Sequence, residues 1–183
     1  SSKTCVIFDL ETQRSADDVG GWGNIKAMGL AWGVCYRFPG DEWLDFEEKD
    51  AEKLVDVLKS ADLVVGFNQV RFDYEVLRAY SGFDFRKINS YDMLVHITSA
   101  LGHRLKLNSV ASGTLGASKS ADGLQSLQWW KSGEVEKVAS YCRKDVEVTR
   151  DLFFHILDKG YLLFEKRGIG LVRVKMPQDP FNK

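Results

Sequence analysis

Four acidic side chains stand where the surrounding pattern asks for apolar ones. In Val6-Ile7-Phe8-Asp9-Leu10-Glu11, a run of strand character takes in two carboxylates. Side chains alternate along a strand, so Asp9 and Glu11 point to the same side. Both sit at the strand's carboxyl end, where α/β sheets gather their ligands. Two close carboxylates repel, and one takes up a proton unless a cation lies between them. The plainer alternative is an acidic pair opening a solvated loop. A second anomaly falls in the stretch 134–158. At about 100° per residue, Val135, Val138, Cys142, Thr149, Phe153 and Ile156 share one stripe, and Asp145 falls inside it. Tyr141 precedes Asp145 by one turn, on the flank of that face. A charge turned toward a core is costly unless paired or bound to metal. Arg143 and Arg150, the obvious partners, point elsewhere on the wheel. The third anomaly is Val65-Gly66-Phe67-Asn68-Gln69-Val70-Arg71-Phe72-Asp73, where a strand ends, a short turn follows and Asp73 enters a helix. An acid there also suits the helix dipole, and Asn68 suits a turn. Together these pieces gather four carboxylates and a phenol near two strand ends and on two helices. Hard oxygen ligands, without sulfur or histidine, imply Mg²⁺ or Mn²⁺ rather than zinc.

The elements that must position them follow from the apolar pattern. Cys5–Leu10 is continuously apolar up to its acids and predicts a buried strand. Ala27–Phe38 predicts a second strand, Pro39-Gly40-Asp41 a turn and Glu42–Phe46 a third strand. With no helix between them, these strands are expected to pair antiparallel. Asp50 is expected to cap a helix carrying Leu54, Val55 and Leu58 on one face. Leu63–Phe67 predicts another buried strand. Phe72–Tyr80, Asp92–Leu101, Asn108–Leu115 and Gly123–Trp130 predict helices, with Gly102 and Gly113 as breaks. Glu134–Asp158 is the longest helical stretch and stops at Gly160. Tyr161–Lys166 and Leu171–Met176 flank Arg167-Gly168-Ile169-Gly170 and predict a closing hairpin. The fold class is α/β with a mixed sheet, in one domain over 1–176 with a loose tail at 177–183.

Composition narrows the function classes. The 183 residues carry 25 Lys+Arg against 26 Asp+Glu, a net charge of −1, which excludes a wholly basic nucleic-acid coat but leaves room for a local basic groove. Hydrophobic residues make up 44%, enough for a core without staples. No apolar run is long enough to span a membrane. Cys5, Cys35 and Cys142 are odd in number and widely spaced, so buried free thiols in a reducing, cytoplasmic compartment are expected. The amino end has no signal-peptide pattern. It also lacks an initiator Met, which fits a processed form or a piece of a longer chain.

On these motifs the chain resembles the DEDD 3′–5′ exonucleases of the ribonuclease-H-like fold. Phe8-Asp9-Leu10-Glu11-Thr12 matches their Asp-x-Glu strand. Asn68 to Asp73 matches Asn-x-x-x-Phe-Asp. Tyr141-Cys142-Arg143-Lys144-Asp145 matches Tyr-x-x-x-Asp. The last places it in the tyrosine branch, since the histidine branch wants His where Ser140 stands. The stretch from Leu105 to Gly116 is also similar to bacterial ribonuclease-H-like (YprB-like) nuclease domains and family B polymerase proofreading domains. The resemblance implies a mixed sheet of three antiparallel strands continued by parallel ones, flanked by helices. It implies that Asp9, Glu11 and Asp145 hold one divalent ion. Asp9 bridges to a second ion supported by Asp73, and Tyr141 orients the attacking water with help from Glu11. It further implies release of nucleoside 5′-monophosphates from a 3′ end.

Thr12, Trp22, Asn68, Phe72, Arg104, Lys106 and Lys119 are the candidates for gripping single-stranded DNA or RNA. Trp22, after Gly20-Gly21, is the candidate wedge, and aromatic rings stack on bases of any sequence. Tyr91, Trp129 and Trp130 are further stacking candidates whose simpler fate is core packing. The resemblance also implies a helicase module as neighbour, in the same or a partner chain. Two other readings stand beside the exonuclease. One is a non-catalytic nucleic-acid-binding module of a larger helicase or polymerase chain; the other is a structure-specific endonuclease on the same fold.

Overall fold

A strand that is apolar on both faces has to be covered on both faces. In the computed structural model, which describes residues 2–117 and 121–181, β1 (Cys5–Thr12) is the middle of a five-stranded sheet. β2 (Leu30–Phe38) and β3 (Glu42–Phe46) follow it as an antiparallel meander. β4 (Leu63–Gly66) runs parallel to β1, and β5 (Ser90–Asp92) runs parallel to β4. The order β3-β2-β1-β4-β5 gives the expected mixed sheet.

Helices cover both faces. The odd side chains of β1, Cys5 and Ile7, pack with Val34, Val65, Cys142, Val146 and Phe153. That face is covered by α3 (Met93–Leu101), α4 (Leu107–Leu115) and the long α6 (Val135–Lys159), which lies across β1 and β2. The even side chains, Val6, Phe8 and Leu10, pack with Leu54, Leu58, Tyr74 and Leu77 from α1 (Ala51–Ser60) and α2 (Tyr74–Leu77). Each such side chain contributes about 1.5–3 kcal/mol on full burial. α5 (Gly123–Lys131) packs on α6 and on β1. The hairpin of β6 (Tyr161–Lys166) and β7 (Gly170–Lys175) closes the chain against α4, after Gly160 ends α6 in a left-handed conformation. Beyond β7, the Tyr91 hydroxyl donates to the Pro177 carbonyl (2.8 Å) and Gln178 donates to the Leu157 carbonyl (3.3 Å). Among the described residues no helix is long and apolar enough to cross a membrane.

Several boundaries differ from those predicted. β1 runs on to Thr12, so Glu11 is still on the strand. The second strand starts at Leu30, because Trp22–Ala27 forms 3-10 turns and Gly29 has a left-handed φ of 74°. The helix expected from Phe72 begins as a π turn over Gln69–Asp73 and is α-helical only over Tyr74–Leu77. Asp50 precedes α1 without a side-chain capping bond, since a 3-10 turn over Glu48–Asp50 already leads into it. The helix expected from Asp92 begins at Met93, with Asp92 ending the short strand β5 and capping the helix. Gly113 does not break its helix. It sits inside α4, where a Cβ would collide with the backbone carbonyl of Leu163 on β6, so glycine permits the close approach.

Candidate metal and nucleic-acid site

The pleat that sends Cys5 and Ile7 into the α6-side core carries Asp9 and Glu11 out past it, to the end of β1. Across from them α6 presents Tyr141 and Asp145, one turn apart and next in sequence to the buried Cys142 and Val146 respectively. Asp73 arrives from the other neighbour: β4 ends at Gly66, Asn68 takes a left-handed φ of 68°, and the π turn swings Asp73 inward to 3% exposure. A buried Asp92 holds that turn. Its carboxylate accepts from the backbone N–H of Asn68 (2.8 Å) and Val70 (3.1 Å) and, at the start of α3, from Leu94 (3.0 Å) and Val95 (3.4 Å).

The four carboxylates meet. Asp9 lies close enough to both Asp73 and Asp145 for the carboxyls to act on one another. Burial, then the charge of Asp73, pushes the Asp9 carboxyl well above the usual range. Burial, then Asp9 and Asp145, does the same to Glu11. Asp73 is pushed up to about 8 by burial and then by Asp92. Asp145 is pushed up to about 8 by burial and then by Asp9. Without a cation these groups keep protons near neutrality that ordinary carboxyls lose. Oδ1 of Asp73 is buried with no hydrogen-bond partner. A crowded, oxygen-only set with an orphaned carboxylate oxygen fits a hard divalent ion.

Cys142 is close enough to count as a ligand, since its Sγ and oxygens of Asp9 and Glu11 lie within 4.8 Å of one another. Its chemistry argues otherwise. Burial raises the thiol's pKa well above its ordinary value, and Sγ donates to the carbonyls of Asp9 (3.4 Å) and Trp32 (3.8 Å). A protonated thiol already in use as a donor leaves ligation to the carboxylates. Tyr141 is likewise held in its phenol form, with a pKa raised by burial and then by Asp145 and Glu11. It can donate a hydrogen bond near the acids but does not ionise there.

A cleft of about 1030 Å³ opens over this cluster. Asp9, Glu11, Thr12, Trp22, Asn68, Phe72, Arg104, Lys106, Tyr141 and Asp145 line it, while Asp73 meets Asp9 without lining the cleft. Trp22 is 67% exposed and meets the Phe72 ring edge-on at 6.3 Å. The Thr12 hydroxyl donates to the Arg14 carbonyl (3.0 Å). Lys119 lies outside the described residues. Tyr91 is 2% exposed in the core and unavailable for stacking; Trp129 is edge-on to Tyr141 at 6.3 Å. Two residues of the site lacked an obvious signal in the sequence. Asp92 precedes the apolar run Met93-Leu94-Val95, a capping pattern that could have singled it out. Ser126, beside Glu11, has no such signature.

The family model RNase_H_2, of the RNase H superfamily, matches residues 6–157. The chain belongs to the RNase H superfamily. Members of the RNase H superfamily are generally nucleases and generally use divalent metal ions, in keeping with the acidic group described above. Among solved structures the chain is similar to the family B DNA polymerase of the hyperthermophilic archaeon Pyrobaculum calidifontis, with a TM-score of 0.64 over 86% of this chain and 18% identity. At that identity the likeness shows the fold. The chain spans 25% of the length of that polymerase. No curated protein matches it.

Proposed function

We propose that the protein is a metal-dependent 3′–5′ exonuclease of the tyrosine branch, acting on single-stranded DNA or RNA through a nuclease domain over 1–176. The observation that carries this is the convergence of Asp9, Glu11 and Asp145 on one cleft, with Asp73 against Asp9 and Tyr141 at their edge. Asp9, Glu11 and Asp145 would hold one Mg²⁺ or Mn²⁺, and Asp9 with support from Asp73 a second. Two bound dications supply an acidified water and neutralise charge developing on a phosphodiester. The chain's own residues do the rest. Tyr141, kept as a phenol, donates a hydrogen bond that orients the attacking oxygen, and Glu11 accepts from the same water. Trp22 and Phe72 stack on or part the terminal bases, Asn68 faces the same space, and Arg104 and Lys106 sit where a phosphate backbone would pass. A helicase module in the same or a partner chain and a cytoplasmic location complete the reading.

Incubation of a 5′-labelled single strand with Mn²⁺ tests it. A ladder shortening from the 3′ end, abolished by chelator and by a 3′ block, is the expected result. Internal cuts in the blocked strand would instead mean an endonuclease. Binding without cleavage would mean a non-catalytic module. Matched DNA and RNA strands then decide the sugar, a choice that rests on contacts to the 2′-hydroxyl.

A further inference from the structure

α5 is packed the wrong way round for a helix held by apolar contact alone. Its buried residue is Ser126, at 1% exposure, while Leu124 two positions earlier is 68% exposed. Packing by itself would turn leucine inward and leave serine to water. The Ser126 hydroxyl is fully buried and makes no hydrogen bond of ordinary length and angle. A buried hydroxyl left so costs about 1–3 kcal/mol. A helical serine usually avoids that cost by bonding the carbonyl four residues back. Here the Asp122 carbonyl accepts the Ser126 N–H (3.2 Å), but the hydroxyl makes no second bond to it. The group beside it is the Glu11 carboxylate at the end of β1, on which α5 packs.

One helical turn along, Trp129 stands edge-on to the Tyr141 ring, with centroids 6.3 Å apart and planes at 69°. Residues three apart share a helix face. The same face of α5 therefore reaches both groups to which the nuclease reading gives the attacking water. The helix is secured at each end: Asp122 accepts from the Gln125 N–H (2.9 Å), and Lys131 pairs with Asp18 (2.9 Å) in the connection that carries Trp22.

We infer that α5 is the aligning element of the site, with Ser126 as the positioning residue for the Glu11 carboxylate and Trp129 as the positioning residue for the Tyr141 phenol. This rests on the nuclease reading, and neither residue need touch substrate. The competing explanation is that Ser126 is merely small, letting α5 approach β1. Alanine would then serve as well as serine and would remove an orphaned hydroxyl.

The test uses the full chain and Mn²⁺ as the probe. Calorimetric titration of Ser126→Ala should give a Kd for Mn²⁺ about tenfold weaker than wild type, the usual penalty for losing a group that orients a metal ligand. Its Tm in chelator should be unchanged or higher. Ser126→Cys, which fills the same space with a poor donor, should follow alanine, and Ser126→Thr should restore binding. Trp129→Leu should lower kcat about 10- to 100-fold at unchanged KM, as expected for a misplaced reacting group, and Trp129→Phe should recover most of it. Alanine and cysteine variants that bind Mn²⁺ as tightly as wild type would overturn the role of Ser126. An unchanged kcat in Trp129→Leu would overturn that of Trp129. Wild-type protein that binds no Mn²⁺ would overturn the nuclease reading itself, a result separate from either of those.

Discussion

Asp9 is the side chain the rest of the cluster responds to, since its charge raises Glu11 and Asp145 and its carboxyl contacts Asp73. Asp9→Ala should therefore abolish metal-dependent cleavage while the Tm in chelator stays level or rises, because repulsion is relieved. A variant that still degrades a labelled strand at the wild-type rate would remove Asp9 from the chemistry. Tyr141→Phe keeps the ring and loses the donor. Its single-turnover rate should fall about 10²-fold, within the range of one acid–base contact. The raised carboxyls also fix the sign of a pH effect. Asp73 and Asp145 titrate near 8 when folded and near 4 when unfolded, so the folded chain holds more protons between those values. In chelator, stability should fall as pH rises from about 4 to about 8 and level off above. Mn²⁺ binds the ionised cluster, so the Tm gained on adding it should grow over the same interval. Melting curves at several pH values, with and without Mn²⁺, read both slopes, and a flat profile in chelator would contradict the picture of shared protons.

At the scale of elements, Asp92 does more than cap α3. Its two oxygens hold the turn that delivers Asp73 as well as the first turn of the helix. Asp92→Ala should cost about 2–4 kcal/mol, read from urea unfolding, as a lost cap plus charge-assisted bonds to the turn. Cleavage should fall with it, since the turn no longer fixes Asp73. Gly113→Ala should also destabilise, although alanine favours an isolated helix by about 1 kcal/mol over glycine, because the new Cβ meets the Leu163 carbonyl. Gly113 marks where sequence reading runs out. A glycine in a helical pattern reads as a stop, and only the presence of β6 shows it to be a contact. The three residues of β5 are too few to declare a strand period. The 3-10 turns of Trp22–Ala27 have no apolar repeat to announce them. By contrast β1 and β4 were legible as continuous apolar runs, the β2–β3 meander from its apolar strands about a Pro-Gly-Asp turn, and α6 from an apolar stripe at helical spacing. Asp9, Glu11 and Asp145 were legible for the opposite reason, as charges interrupting such runs. Ser126 was not, since a small polar residue in a mixed helix ordinarily faces water and nothing local shows that this one faces Glu11.

Across the whole molecule, charge is nearly balanced at −1, so long-range attraction for a polyanion is weak and grip has to come from the cleft. Among the described residues three cationic side chains line it, Arg14, Arg104 and Lys106, and acids line it too: Asp9, Glu11, Asp17, Asp122 and Asp145. Arg14 is already engaged, donating to the Ala27 carbonyl (2.8 Å). Arg104 and Lys106 form no ion pair among the described residues and are the two free to meet phosphates. For a single strand each neutralised phosphate contributes about 0.7 to the slope of log affinity against log salt, so two to three contacts give a slope of about −1.4 to −2. Replacing Arg104 and Lys106 together by alanine should take about 1.4 off that slope, leaving it near zero to −0.6. Trp22→Ala should do the reverse. It should lose about 1–3 kcal/mol of affinity with the slope unchanged, because stacking on a base involves no counterion. Fluorescence titrations of a labelled single strand in Ca²⁺, over a range of salt, separate the two contributions. A Trp22 variant whose loss appears only at low salt would mean that the exposed ring acts through neighbouring charges rather than through a base.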